Sequence, residues 1–128
     1  LALPAAATAQ LPVGAQARDF TAQSAMAGKV QSFNLRSALR RGPVVLYFFP
    51  KAFTQGCTLE TRAFAEAIDQ FGAAHATVIG MSTDDLPTLQ RFSTEECRGK
   101  FPVASATPAI VQSYDVAMKR DSAWRISG

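Results

Sequence analysis

Two cysteines, Cys57 and Cys97, are the residues of this sequence best suited to covalent chemistry. A cysteine thiolate is a nucleophile, and two thiols can be oxidised to a disulfide. Cys57 follows the segment 50–56, which lies between an apolar run and a segment of helical periodicity. With Thr54 as the N-cap, Cys57 falls in the first turn of that helix, where unpaired N–H groups and the helix dipole favour a thiolate. The Thr54 hydroxyl can turn toward the same point. This placement at the start of a helix therefore predicts a reactive Cys57.

The elements that position this segment are an apolar run before it and a helix after it. Residues 44–49 form a continuous run of β-branched and aromatic residues between two prolines, which predicts a central strand covered on both faces. A helical stripe of apolar residues runs from Leu59 to Phe71, and Gly72 is expected to end it. Residues 77–81 predict a second buried strand.

The alternation of strands and helices predicts an α/β fold with a central, mostly parallel sheet flanked by helices. We expect one domain in residues 11–128, with its C-terminal elements missing, because such a sheet is normally closed by another strand pair and a covering helix. The remaining expected elements are strands in 19–25, 30–35 and 101–104, helical segments in 36–41 and from 86 to about 97, and a helix with Thr107 as N-cap and Pro108 as its first residue.

Composition excludes several classes of function. The chain has 128 residues, of which 48% are hydrophobic and 18% charged, as in a globular domain. The net charge of +3 is scattered, and the cluster Arg36, Arg40 and Arg41 lacks interleaved aromatic residues, so nucleic-acid binding is not expected. No apolar run approaches the ~20 residues of a membrane span. His75 has no metal-ligand partners nearby in sequence, and no metal, flavin or haem motif is present, so no cofactor is expected.

Residues 1–10 differ from the rest of the chain because they are Ala-rich and uncharged. They fit either the end of a secretory signal peptide, with cleavage after Ala7 or Ala9, or a disordered terminus. The first interpretation implies a periplasmic or secreted protein in an oxidising compartment, and the second a cytoplasmic one.

The spacing Pro50-x-x-x-Thr54-x-x-Cys57 resembles the signature of the peroxiredoxins, which are peroxidases with a thioredoxin-like fold. The Phe-Phe-Pro that begins this segment, the Thr-Leu-Glu after the cysteine and the Gly-Met-Ser at 80–82 are also similar to that family. The branch that the sequence most resembles is the bacterioferritin-comigratory, or Q-type, peroxiredoxins. The likeness runs from about Leu11 to Tyr114.

The resemblance implies roles for five residues. Cys57 would attack the peroxide, Thr54 would hydrogen-bond the thiolate and the peroxide, and Pro50 would shield the site from water. Arg125 is the candidate for the arginine that lowers the thiolate pKa and polarises the peroxide in this family. Cys97 would be the resolving cysteine.

The sequence departs from the commonest Q-type pattern at the resolving cysteine. Many members place it five residues after the peroxidatic one, where this chain has Arg62. Some members resolve from the helix that is expected here to end near Cys97. Glu95 and Glu96 beside this cysteine are expected to form a solvated helix face and to disfavour its thiolate.

The implied function is reduction of hydrogen peroxide or organic hydroperoxides through a Cys57 sulfenic acid, an intramolecular disulfide with Cys97, and recycling by thioredoxin or a periplasmic dithiol reductant. A monomer or weak dimer is expected. A thioredoxin-type thiol–disulfide oxidoreductase is the alternative, although Glu60 stands where a Cys-x-x-Cys motif requires its second cysteine. A binding domain with a structural disulfide between the two cysteines is a third possibility.

Overall fold

The computed structural model describes residues 11–114, 116–120 and 123–126, and for Cys57 and residues beyond 116 it describes the backbone alone. The strands are β1 (Thr21–Met26), β2 (Lys29–Asn34), β3 (Val44–Phe48), β4 (Thr77–Ser82), β5 (Val103–Ser105), β6 (Ala117–Arg120) and β7 (Ala123–Ile126). The helices are α1 (Leu35–Leu39), α2 (Gln55–Glu66), α3 (Ile68–Ala73), α4 (Leu86–Glu95) and α5 (Pro108–Ser113).

Five strands form the main sheet in the order β2-β1-β5-β4-β3, and β6 pairs with β7 in a separate two-stranded sheet. Strands β3, β4 and β5 are parallel, whereas β1 is antiparallel to both β5 and β2. The expected α/β fold with a parallel core is confirmed, and the whole sheet is mixed. Since β3 and β4 are parallel, the loops that follow them lie at the same edge of the sheet.

Strand β3 is not the central strand that its sequence predicts. Among the described residues it lies at the end of the five-stranded sheet, and all of its side chains are half-buried. Its side chains nevertheless pack on both faces, with Leu46 against one apolar cluster and Val45 against the other. A continuous apolar run indicates that both faces of a strand are covered. It does not indicate whether the strand has a neighbouring strand on each side.

Helices cover both faces of the sheet. One cluster packs Ile79 and Met81 of β4 against residues of α1 and α5, and the other packs Val78 against residues of α2 and α4. Successive side chains of β4 point to opposite faces of the sheet, as the two-residue period of a strand requires. No helix in the described part of the chain is both long enough and apolar enough to span a membrane.

Three helix boundaries differ from the expected ones. The stripe from Leu59 to Phe71 is divided at Ala67, whose ψ of 3° ends α2 before α3 begins. Gly72 lies inside α3 and does not end it. Helix α4 ends at Glu95, so Cys97 lies in the turn beyond it.

Gly80 allows an aromatic ring to lie directly on β4. A Cβ atom at this position would lie 2.8–2.9 Å from the ring and hydroxyl of Tyr47. The ring cannot move freely, because it stacks on Phe64 with centroids 4.5 Å apart and its hydroxyl is 2.8 Å from the Thr61 hydroxyl of α2. Thr61 is fully buried and one helical turn after Cys57. The contact therefore fixes α2 against β3.

The substitution Gly80→Ala should lower the free energy of unfolding by about 1–3 kcal/mol, because the new methyl group overpacks against Tyr47. Gly72→Ala is the matched control, since a Cβ at that helical position meets nothing within 4 Å. It should leave stability unchanged or raise it by up to about 1 kcal/mol. Urea unfolding of the three proteins measures both effects, and equal stability of Gly80→Ala and wild type would contradict this role of the Tyr47 ring.

Candidate active site

Cys57 is the third residue of helix α2, as the sequence predicts. Thr54 is the N-cap residue, with an extended backbone at φ −82° and ψ 155°. The first intrahelical hydrogen bond runs from the Thr58 N–H to the Thr54 carbonyl at 2.9 Å. The N–H groups before it belong to the open first turn, where the helix dipole favours a negative charge. The first turn of α2 carries no acidic residue. The backbone therefore places residue 57 in the turn of the helix where the dipole stabilises a thiolate.

The Thr54 side chain does not cap the helix. Its hydroxyl is exposed and donates a 2.9 Å hydrogen bond to the carbonyl of Lys51, which closes the turn before α2. The backbone of Thr54 thus occupies the predicted N-cap position, but its hydroxyl proton is bonded within the loop. To donate to a thiolate or a peroxide, this hydroxyl has to rotate away from Lys51.

Phe53, directly before the N-cap, has a left-handed backbone with φ 65°. Such a conformation costs a non-glycine residue on the order of 1–3 kcal/mol and persists only where its surroundings hold it. Helix α4 provides these surroundings. The Phe53 ring meets Phe92 edge-on with centroids 5.1 Å apart, and the Arg91 guanidinium lies 5.0 Å from the ring centroid. Nothing in the sequence pattern indicated this residue.

Residues 49–54, which join β3 to α2, are called the Cys57 loop. Asp84, in the loop after β4, holds this loop from the other side. Its carboxylate Oδ2 accepts a 2.7 Å hydrogen bond from the Ala52 N–H and a 2.8 Å hydrogen bond from the Ser82 hydroxyl. The Ser82 hydroxyl oxygen accepts the Asp84 N–H, and the Ser105 hydroxyl donates to the Asp84 carbonyl. The next residue, Asp85, is the N-cap of α4 and accepts a hydrogen bond from the Thr88 N–H.

Of the two further predicted site residues, Pro50 is described with its side chain and Arg125 by its backbone alone. Pro50 lies two residues after the end of β3 and is exposed near the start of the loop that leads to Cys57. The structure thus places Pro50, Thr54 and Cys57 in one loop and helix start. Arg125 lies in β7 opposite Met118, but its side chain lies outside the described residues, so its catalytic role stays a prediction.

Cys97 is buried in the apolar core. Its exposed fraction is 0%, and it belongs to the cluster that contains Phe49, Phe92 and Phe101. Burial, together with the neighbouring Glu96 carboxylate, raises the pKa of the Cys97 thiol to about 12. The expected effect of Glu96 on this thiol is therefore confirmed. In this structure Cys97 is a protonated core residue near neutral pH.

The turn that carries Cys97 is held at both of its ends. The Cys97 N–H bonds the Phe92 carbonyl at 3.1 Å, and the Gly99 N–H bonds the Ser93 carbonyl at 2.8 Å. Arg98 between them has a left-handed backbone with φ 54°. These bonds close the C-terminus of α4 and keep the thiol facing inward.

Glu96 does not belong to a solvated helix face. The Arg62 Nε donates to its carboxylate at 2.7 Å, and the Glu96 side chain is only 13% exposed. Arg62 occupies the position at which the resemblance to the Q-type branch would place the commonest resolving cysteine. Here it joins helix α2 to the turn that contains Cys97.

In the described part of the chain, no three or more His, Cys, Asp or Glu residues lie close enough together to hold a metal ion. His75 is exposed in the turn after α3, as expected for a loop histidine.

Comparisons of the sequence and of the fold with known proteins agree on one family. Residues 13–125 match the model of the AhpC/TSA family. The putative peroxiredoxin bcp of Helicobacter pylori (strain ATCC 700392 / 26695) is 35% identical over 86 residues, which are 67% of this chain and 54% of that protein. The chain thus spans about half the length of this relative.

Two solved structures resemble the fold. Peroxidoxin BcpB from Mycobacterium tuberculosis has a TM-score of 0.78 at 28% identity, with 88% of this chain and 71% of that chain covered. A bacterioferritin comigratory protein of Xanthomonas campestris has a TM-score of 0.67 at 25% identity, with 81% and 67% covered. These similarities confirm the expected thioredoxin-like fold.

The raised pKa of Cys97 makes stability depend on pH. The folded-state pKa of Cys97, about 12, lies above the ordinary value of 9.0. The stability that the protonated Cys97 thiol contributes to the folded state is therefore fully present below pH 9 and is lost as the pH rises toward 12. The stability difference between wild type and Cys97→Ala should therefore shrink by about 1.4 kcal/mol per pH unit in this window. Urea unfolding from pH 8 to 10.5 measures it, and a constant difference would show that the folded thiol titrates normally.

Proposed function

The chain belongs to the AhpC/TSA family, and from this we propose that it is a thiol-dependent peroxidase in which Cys57 attacks the peroxide. The observation that carries the proposal is the place of Cys57 in the first turn of α2, after a loop fixed at the carboxyl ends of two parallel strands. This position stabilises the nucleophilic form of the thiol without any metal or organic cofactor.

The proposed first step is a displacement at oxygen. The Cys57 thiolate attacks the terminal oxygen of a hydroperoxide, a sulfur–oxygen bond forms, and the oxygen–oxygen bond breaks. The leaving alkoxide or hydroxide takes up a proton and departs as an alcohol or water, so that sulfur is oxidised by two electrons to a sulfenic acid. Both hydrogen peroxide and organic hydroperoxides are proposed substrates. The bacterioferritin comigratory protein of Xanthomonas campestris, which shares the fold, has alkyl peroxide reduction activity.

In the proposed second step, the Cys97 sulfur attacks the Cys57 sulfenic acid, which releases water and forms a disulfide. A thioredoxin-like or periplasmic dithiol then reduces the disulfide. The turn after α4 must open for this step, because Cys97 is fully buried and its thiol is protonated. Opening breaks the Cys97–Phe92 hydrogen bond and the Arg62–Glu96 contact.

The burial of Cys97 also favours a second candidate, in which an external thiol resolves the sulfenic acid directly. In that cycle Cys97 remains a packed core residue and the turn after α4 stays closed. The thiol of Cys97 is free in this structure, which speaks against a binding domain held by a structural disulfide.

Replacing each cysteine separates these cycles. Cys57→Ser should abolish peroxide consumption with thioredoxin, its reductase and NADPH, because the other cysteine, Cys97, is fully buried. Cys97→Ser should keep the single-turnover reaction with hydrogen peroxide but lose turnover with thioredoxin. Peroxide consumption and the mass of the oxidised proteins measure both steps.

Each result has a distinct consequence. Full turnover by Cys97→Ser would establish resolution by an external thiol. Wild-type peroxide consumption by Cys57→Ser would contradict the proposed function as a whole.

Thr54 should affect the rate of the first step more than stability. Thr54→Val keeps the shape of the side chain but removes the hydroxyl, and loss of the hydrogen bond that this hydroxyl donates to the reacting atoms after rotation should lower the rate constant with hydrogen peroxide ~10²-fold. Thr54→Ser, which retains the hydroxyl, is the control and should stay close to wild type. Stopped-flow measurement of all three proteins decides, and a wild-type rate in Thr54→Val would remove Thr54 from the mechanism.

The Arg62–Glu96 contact should slow disulfide formation. Glu96→Gln weakens this contact and also removes the charge that disfavours the Cys97 thiolate. We expect disulfide formation after a pulse of peroxide to become about 2–5 times faster. This is the effect on the rate if opening of the turn no longer has to break an ion pair worth up to about 1 kcal/mol. Glu95→Gln is the matched control, because its exposed carboxylate faces Arg91 on the same helix at 3.9 Å. Equal rates in the two variants would show that the contact does not restrain Cys97.

A further inference from the structure

Two loops meet where β3 and β4 end, and the second of them is rigidly built. Asp84 in this second loop is fastened to β4 through the fully buried Ser82, which bonds both its N–H and its carboxylate. The Ser105 hydroxyl at the end of β5 bonds the Asp84 carbonyl at 2.9 Å. The Asp84 carboxylate therefore has a fixed position relative to the sheet.

This fixed carboxylate contacts the Cys57 loop at one backbone atom. The Ala52 N–H donates to the Asp84 Oδ2 at 2.7 Å, which is the short distance of a charge-assisted hydrogen bond. Ala52 is 5% exposed, so the bond is sheltered from water. Two residues later Thr54 sets the direction in which α2 leaves the loop.

The conformation between these two points requires support from both sides. Phe53 has a left-handed backbone, and helix α4 holds its ring through Phe92 and Arg91. The ring contacts alone leave the backbone before Phe53 free to rotate, and the Ala52–Asp84 bond removes that freedom. Without this bond the turn can relax toward an ordinary backbone conformation, and the first turn of α2 would shift with it.

We propose that Asp84 is a positioning residue for the peroxidase reaction, which holds the Ala52 backbone so that the first turn of α2 presents Cys57 correctly. This inference rests on the proposed function and extends it to a residue outside the Pro50–Cys57 segment. Asp84 acts through the backbone and touches no reacting atom. Because small displacements of reacting groups have large effects on rate, its loss should slow the first step by ~10-fold or more.

The experiment compares Asp84→Ala, Asp84→Asn and Asp85→Ala in the full chain. The Asn side chain retains an oxygen that accepts from both the Ala52 N–H and the Ser82 hydroxyl, so it should restore the geometry. Asp85→Ala is the matched control, because it removes a neighbouring carboxylate that caps α4 and has no bond to the Cys57 loop. The readouts are the single-turnover rate constant with hydrogen peroxide and the Cys57 thiol pKa, followed by thiolate absorbance below pH 10.

We expect Asp84→Ala to lose ~10-fold or more in rate and to raise the Cys57 pKa toward the free value of about 8.5. Asp84→Asn should stay within about threefold of wild type in rate, and Asp85→Ala should match wild type in both readouts. Wild-type behaviour of Asp84→Ala would overturn the inference, as would an equal loss in the Asn and Ala variants.

Two further measurements keep the test decisive. If Asp84→Ala does not fold, Ser82→Ala removes one of the bonds that orient the carboxylate and should give a smaller loss in the same direction, and no loss would overturn the inference. A wild-type protein without peroxidase activity would contradict the proposed function alone, because the Cys57 pKa in the Asp84 variants still reports whether the loop is positioned.

Discussion

The left-handed turn at Phe53 is the feature on which the candidate site depends. It bends the chain as it leaves β3 and brings Thr54 into the N-cap position of α2. Because the conformation is unfavourable for a phenylalanine, it exists only through contacts with other elements. Asp84 holds the backbone before the turn, and Phe92 of α4 holds the ring. The site is thus assembled from the ends of two strands and the face of a helix.

Helix α4 connects the two cysteines. Its middle supports the Phe53 ring next to the Cys57 loop, while the turn after its C-terminus contains Cys97. The Arg62–Glu96 contact joins this same turn to α2. An intramolecular disulfide therefore requires unwinding next to the helix that stabilises the site. In the proposed cycle, reaction of Cys57 with peroxide is favoured by the closed form and resolution by an open form, so the balance between the two forms sets how long the sulfenic acid persists.

The sequence predicts those parts of the structure that short-range chemistry determines. The N-caps Thr54 and Thr107, the start of α5 at Pro108 and the place of Cys57 follow from residue type and local spacing. Contacts between distant segments could not be predicted in this way. Ala52 and Asp84 are 32 positions apart, and Arg62 and Glu96 are 34 apart. The position of β3 at the end of the sheet also depends on strand order, which its own composition does not encode.

Activation of Cys57 by the folded chain is tested most directly by comparing this one thiol in two states of the protein. In Cys97→Ser, the rate constant for sulfenic acid formation at Cys57 is measured with hydrogen peroxide in the folded protein and again in urea at the same pH. We predict a much larger rate constant in the folded state, beyond what the difference in thiolate fraction explains, because only the folded loop and helix start position and stabilise the reacting sulfur. Equal rate constants per thiolate in the two states would contradict the claim that the folded loop and helix start position the reacting sulfur.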